Sequence, residues 1–243
     1  MQISSKSIFI SDIHLTQNNE LIKNSFFSFL DNFPEEVNNL FIVGDLFDLW
    51  IGDDVRNELV EDLHLKLRKI TNNKKNIFFF HGNRDFLVGE SFCKTSNIKL
   101  IHEPTVFEFF GYKTLILHGD QLCTEDVDYQ NFCKIVRNEQ WQSEFLSLSI
   151  PERLKIAQNV RKESSVSLAN KDDYITDVAD RTVLKYFEKY RVTHMIHGHT
   201  HRPKIHLVEN NFSRLVIPDW NNNYWGYISS SQNGFAHNLI KYT

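Results

Sequence analysis

The sequence predicts an α/β layered fold in a single domain, and three observations carry the prediction. Short runs rich in β-branched and aromatic residues recur, each closed by Gly, Asp, Asn or His: SIFISDIHL, LFIVGDLFD, IFFFHGNRD, LILHGDQ and MIHGHTH. Stretches of helical period lie between them, the pattern of strands alternating with helices. Finally, 243 residues with 41% apolar side chains can bury one substantial core and require no second unit.

Each element follows from its own residues. SIFI, at positions 7–10, is a four-residue apolar run bounded by turn formers and reads as a buried strand. Apolar spacing over Leu21–Phe33 predicts the first helix, LFIV the second strand, Val55–Ile70 a second helix and IFFF a third strand, with LIL and MIH supplying two more. In such folds ligands bind beyond the carboxyl ends of the strands. The polar residues that close each run are therefore expected at one rim, although they are scattered from position 12 to position 201.

Charge and composition narrow the function. A net charge of −4 and a pI near 6.3 give no global basic field, so nucleic acid is not an expected partner. A core-like strand follows Met1 almost at once, and no apolar run approaches the roughly 20 residues of a spanning helix, so a cytosolic protein is expected. Cys93, Cys123 and Cys133 are odd in number, lack a CxxC pair and read as free, buried thiols. No sequence feature demands an obligatory protein partner. One segment departs from the acidic whole. Lys134–Lys171 carries seven Lys/Arg against four Asp/Glu, interleaved with Trp141, Phe145, Leu146, Leu148, Ile150, Leu154, Ile156 and Val160. We read it as helical and inserted between two core strands, either as an amphipathic pair packed on the core or as a cap whose apolar side faces lipid.

The residues closing the strands have metal-ligand chemistry. Asp12 and His14 stand two apart, as do His199 and His201, and on an extended chain each pair would project from one face. Asp45 follows FIVG, Asn83 follows FFFHG and His118 follows LIL. Carboxylate, carboxamide and imidazole without thiolate favour Mn²⁺, Mg²⁺ or Fe²⁺, with Zn²⁺ possible. Seven donors exceed one tetrahedral site and suit two adjacent ions sharing a carboxylate. His197 precedes the glycine of HGHTH and is expected in a supporting role. The chain contains no G-x-S-x-G, no Walker A loop and no paired Cys and His motif that would offer another nucleophile.

In order, D-x-H, G-D, G-N-x-D, H-G-D and G-H-x-H resemble the calcineurin-like metallophosphoesterase superfamily over positions 12–201. The resemblance implies two facing β-sheets flanked by helices. It also implies one ion on Asp12, His14, Asp45 and His201 and another on Asp45, Asn83, His118 and His199, with Asp45 as the bridge. The superfamily commonly has His after the metal-binding Asn; here the residue is Arg84, whose planar cation suits a diphosphate better than proton donation. Pairing of Arg84 with Asp85 is the structural alternative.

Longer strings, GDLFDLWIGDD, HGNRDFLVG, HGDQLCTEDVDYQ and HGHTHRP, resemble the UDP-2,3-diacylglucosamine pyrophosphatase family of lipid A biosynthesis. That resemblance implies water attack on the α-phosphorus of UDP-2,3-diacylglucosamine, two Mn²⁺ ions, and a peripheral position on the anionic cytoplasmic face of a Gram-negative inner membrane. Asp45, Asn83, Arg84 and His118 would surround the reacting phosphorus. Asn83, Arg84, Asp126, Ser164, Lys171 and His199 would touch substrate, and a helical cap would span about 125–172. The match loosens between Ser164 and Lys171, where Leu168 stands at a position implied to be polar and Asn170 is the nearby amide. A general metallophosphoesterase acting on another phosphodiester is the alternative, and a scaffold without ions is disfavoured because none of the seven donors is missing.

Overall fold

The computed structural model describes residues 1–169, 171–208 and 212–242. In chain order its strands are β1 (Gln2–Ile3), β2 (Ser7–Ile10), β3 (Asn39–Val43), β4 (Asn76–Phe80), β5 (Lys99–Ile101) and β6 (Thr105–Phe109). They continue as β7 (Tyr112–Ile116), β8 (His194–His197), β9 (Ile205–Val208), β10 (Phe212–Val216), β11 (Tyr224–Ser231) and β12 (Gly234–Lys241). The helices are α1 (Glu20–Asp31), α2 (Glu58–Asn72), α3 (Glu90–Ser96), α4 (Val127–Val136), α5 (Glu139–Ser147), α6 (Ile150–Ala169), α7 (Asp173–Thr176) and α8 (Asp180–Tyr190).

Two mixed six-stranded sheets result, in the orders β12-β11-β2-β3-β4-β5 and β1-β6-β7-β8-β10-β9. The five apolar runs of the sequence are β2, β3, β4, β7 and β8 with the turns that follow them. β2, β3 and β4 are parallel neighbours, with Ile10 opposite Ile42 and Val43 opposite Phe80, so their carboxyl ends finish nearly level. In the other sheet β7 and β8 are parallel neighbours as well.

Side-chain alternation builds the layers. On β3, Leu40 and Ile42 join α1, α2 and α3 in one apolar cluster, while Phe41 and Val43 face the second sheet. On β8, Ile196 faces the first sheet and Met195 packs outward with Val183 and Phe187 of α8. Phenylalanine fills the gap between the sheets. Phe41 stacks on Phe9 and Phe78 at 4.8 and 4.7 Å and meets Phe107 and Phe109 edge-on at 5.2 and 5.5 Å. The α/β architecture expected from the sequence, two facing sheets flanked by helices, is the one observed.

Helix boundaries differ from the periodic stretches because caps override period. α1 stops at Asp31, short of Phe33, since Pro34 keeps the residue before it out of helical conformation. α2 starts at Glu58 rather than Val55 because the Asn57 side chain accepts from the Val60 N–H at 3.0 Å.

The central position of Phe41 makes a prediction. Phe41→Ala should lower the free energy of unfolding by about 3–5 kcal/mol, measured by urea denaturation. A loss below about 1 kcal/mol would mean that the intersheet layer collapses around the gap.

Candidate metal centre

The seven expected donors do converge at the rim, by a route the extended-chain argument misses. Asp12, His14, Asp45, His199 and His201 all lie in the left-handed region, with φ between 49° and 66°. For non-glycine residues this costs about 1–2 kcal/mol each, and it corrects the expectation that each D-x-H or H-x-H pair projects from one face of a strand. Bonds between loops impose the conformation. The Ile13 and His14 N–H groups donate to the Asp45 carbonyl at 3.0 and 3.1 Å, Leu15 N–H donates to Leu46 at 2.8 Å, and Trp220 N–H donates to the Asp12 carbonyl at 3.1 Å. Two glycines permit the close approach: a Cβ on Gly82 would overlap Asp45 Oδ1, and one on Gly198 would overlap Ser11 Oγ and Asp12 Oδ2.

Around Asp12, three donors gather. Asp12 is 1% exposed; its Oδ2 accepts from the His199 N–H at 2.9 Å, whereas its buried Oδ1 has no directed hydrogen bond and faces His201 Nε2 at 3.3 Å. His14 Nε2 is also 3.3 Å from His201 Nε2. Asp12, His14 and His201 thus offer ligand atoms that lie within 4.8 Å of one another, as do Asp12, Asp45 and His118.

A second group centres on Asn83. Its Oδ1 lies 3.0 Å from His118 Nε2 and 2.9 Å from His199 Nδ1. His118 Nδ1 is 3.0 Å from the Val43 carbonyl, which can only accept, so Nδ1 is the donor. In the neutral ring Nε2 then turns a lone pair toward Asn83 Oδ1 and toward Asp45 Oδ1, 3.7 Å away. A proton or a cation between these groups makes that arrangement favourable. Asp45 faces both groups, Oδ1 toward His118 and Oδ2 toward His14 at 3.9 Å.

Electrostatics agree with a cation site. Among the described residues, the ion pairs of Asp12 and Asp45 are to imidazoles and not to Lys or Arg. Burial pushes the Asp45 carboxyl up to about 7. Burial alone would depress His118, but the carboxylates of Asp45, Asp12 and Asp120 raise it to about 9. Burial lowers His14 to about 3 and His199 to about 4, which keeps these rings neutral and their lone pairs available. Among the described residues, orphaned Asp12 Oδ1, buried carboxylates without Lys or Arg partners and an imidazole set without thiolate all fit hard divalent ions.

Asp85, which the sequence offered as the carboxylate of G-N-x-D and as a pairing partner for Arg84, instead holds the Asp45 turn. Fully buried, it accepts from the N–H groups of Gly82 (2.8 Å), Asp45 (3.2 Å), Leu46 (2.8 Å) and Phe47 (3.4 Å). Its oxygens are thus spent on backbone, and no Arg84–Asp85 ion pair occurs among the described residues. Asp219, 3.8 Å from His201 Nδ1, was also missed. The signal was present, since LVIPD is another apolar run closed by a carboxylate. His197 is buried, with Arg214 Nη1 at 3.1 Å from Nε2 and the Gly198 carbonyl at 2.8 Å from Nδ1, the supporting role expected of it.

Beside the metal donors lies a cavity of about 300 Å³. Asn83 and Arg84 border it, Trp141, Phe145, Ile156 and Val160 from α5 and α6 give it apolar walls, and Asp126, Ser164 and Lys171 add polar groups. Lys171 Nζ lies 2.7 and 2.8 Å from the two Asp126 oxygens. The structure therefore brings together every site residue expected from the sequence. Asn170 and the side chain of Leu168 lie outside the described residues.

Comparison with known proteins agrees with this geometry. The family model for calcineurin-like phosphoesterases matches residues 5–203. A UDP-2,3-diacylglucosamine hydrolase of Marinobacter nauticus is 40% identical over 230 residues, which cover 93% of this chain and 94% of that protein. The proteins of the same name from Actinobacillus succinogenes and Haemophilus ducreyi are 40% and 37% identical, over 88% and 93% of this chain and 92% and 97% of theirs. The chain belongs to the calcineurin-like phosphoesterase family, in the branch of the UDP-2,3-diacylglucosamine hydrolases.

Proposed function

We propose that the protein hydrolyses UDP-2,3-diacylglucosamine, with water attacking the α-phosphorus and the bond to the bridging oxygen breaking. The products are UMP and 2,3-diacylglucosamine 1-phosphate, a step of lipid A biosynthesis. The observation that carries this reading is the double position of Asn83. Its Oδ1 meets His118 and His199, and the same residue, with Arg84, borders an apolar cavity.

In this reading Asp12, His14, Asp45 and His201 hold one ion and Asp45, Asn83, His118 and His199 the other, both Mn²⁺. When bound, such a pair supplies an activated water and neutralises charge on the phosphorus oxygens. The chain's own residues do the rest. Arg84 clamps the diphosphate with a permanent charge and a planar fork. Because the Arg84 N–H donates to Asp45 Oδ1 at 2.8 Å, that clamp shares a turn with the proposed bridging carboxylate. Asp126, Ser164 and Lys171 bind the phosphosugar or uridine side.

Helices α4 to α6, between β7 and β8, form the proposed cap of about 125–172. The cavity is small for two acyl chains, and the outer surface of these helices carries further apolar groups: Val127, Ile135, Leu146, Ile150, Leu154 and Val166 are exposed. These exposed apolar groups support peripheral contact with the cytoplasmic face of the inner membrane. No helix among the described residues is long and apolar enough to cross a membrane.

Four outcomes test the proposal. Purified protein with Mn²⁺ should hydrolyse the diacylated UDP-sugar far faster than bis-p-nitrophenyl phosphate, and in ¹⁸O-water the label should appear in UMP; equal rates, or label in the lipid product, would remove the substrate assignment. Asp45→Asn should lower kcat by more than about 100-fold, beyond the loss typical of an outer partner of a ligand, and reduce bound Mn²⁺. Arg84→Ala should lower kcat/KM about 10–100-fold, as expected for lost hydrogen bonds to a charged group, while retaining its metal by elemental analysis. Trp141→Ala should raise KM roughly 10-fold for the long-chain substrate and leave a deacylated analogue unaffected. A parallel loss on both substrates would place Trp141 in the core with Phe145, on which it stacks at 5.0 Å.

A further inference from the structure

The two imidazoles proposed for the first ion are backed by different parts of the molecule. His201 Nδ1 faces Asp219 Oδ2 at 3.8 Å, and Asp219 is held by the Tyr224 hydroxyl at 2.6 Å and Asn221 Nδ2 at 3.0 Å, both from the body of the fold. His14 Nδ1 is buried without a hydrogen-bond partner and faces Asp48 Oδ1 at 3.9 Å. Asp48 is fixed next to it by the backbone, since its N–H donates to Leu15 at 3.3 Å and Leu15 bridges Phe47. Its carboxylate, however, is gripped from α6. Arg161 Nη1 pairs with Asp48 Oδ2 and donates to the Asp48 carbonyl at 2.8 Å, while the same residue lines the cavity.

We propose that Asp48 is a positioning residue that fixes the ring and tautomer of His14, and that Arg161 makes this positioning depend on how α6 is seated. A carboxylate opposite Nδ1 keeps the proton there and turns Nε2 toward the metal, as outer partners of ligating histidines do. The 3.9 Å separation exceeds a hydrogen bond, and contacts of this kind tighten when a site fills. Occupancy of the cavity under α6 and metal affinity at His14 are thereby linked, and linkage runs in both directions. The inference rests on the proposed ligand role of His14.

Mn²⁺ binding without substrate, measured by competition with a chromogenic chelator, tests it. Asp48→Ala should weaken one of two Mn²⁺ sites about 10–100-fold, and Asp48→Glu should restore much of the loss. Arg161→Ala, which removes no ligand, should weaken the same site in the same direction, and the double variant should bind no worse than Asp48→Ala alone. If Asp48→Ala does not fold, the isosteric Asp48→Asn carries the comparison. Unchanged Mn²⁺ affinity in the Asp48 or Arg161 variants, or additive losses in the double variant, would overturn the inference. His14→Ala separates this failure from that of the site assignment: it should lose one ion, and if it does not, the ligand set is at fault rather than the role of Asp48.

Discussion

Two buried carboxylates, Asp12 and Asp45, set the terms for the rest of this structure. Each is no more than 2% exposed, and among the described residues each faces imidazoles instead of lysine or arginine. Burying an unpaired carboxylate is costly unless hydrogen bonds and opposite charge offset it. Here the hydrogen bonds come from the N–H groups of His199 and Arg84, and the remaining carboxylate oxygens face the ring nitrogens of His14, His118 and His201. In the proposed reading a pair of divalent ions supplies the missing opposite charge.

The fold can be understood as the apparatus that makes such a cluster tolerable. Parallel strands with level ends deliver the turns to one rim, and the phenylalanine layer between the sheets keeps those ends from moving apart. Asp85 then ties the Asp45 turn with four backbone N–H groups, and Gly82 and Gly198 let the turns approach to contact. Left-handed backbone at five of the seven proposed ligands is unfavourable in isolation, and it persists because the surrounding loops determine it, as is common at functional sites.

Much of this was legible in the sequence. The buried strands announce themselves as apolar runs, and the residue ending each run is a donor because ligands gather at strand ends. What could not be read was the backbone route by which Asp12 and His14 converge, since φ values at a rim are set by tertiary bonds and not by local spacing. The backbone-holding role of Asp85 and the presence of Asp219 were missed for different reasons. The first acts on N–H groups that leave no trace in the side-chain pattern, and the second closes a run of the same kind as the others. The C-terminal hairpin of β11 and β12 also went unremarked, although Asn233-Gly234 is a strong hairpin signal. Ion pairs that seat α6, from Arg153 to Asp54 and from Arg161 to Asp48, join residues about a hundred positions apart, and no periodicity reports them.

The cavity extends the metal centre toward lipid. Arg84 and Asn83 stand where donors and apolar wall meet, so a diphosphate held there would direct whatever it carries under α5 and α6. The account depends on Asp45 lying between two cations. Diffraction data collected above the manganese absorption edge from crystals grown with Mn²⁺ measure this directly. The account predicts two anomalous peaks, one on each side of Asp45, the first among Asp12, His14 and His201 and the second among Asn83, His118 and His199. A single peak, or two peaks of which Asp45 touches only one, would contradict it.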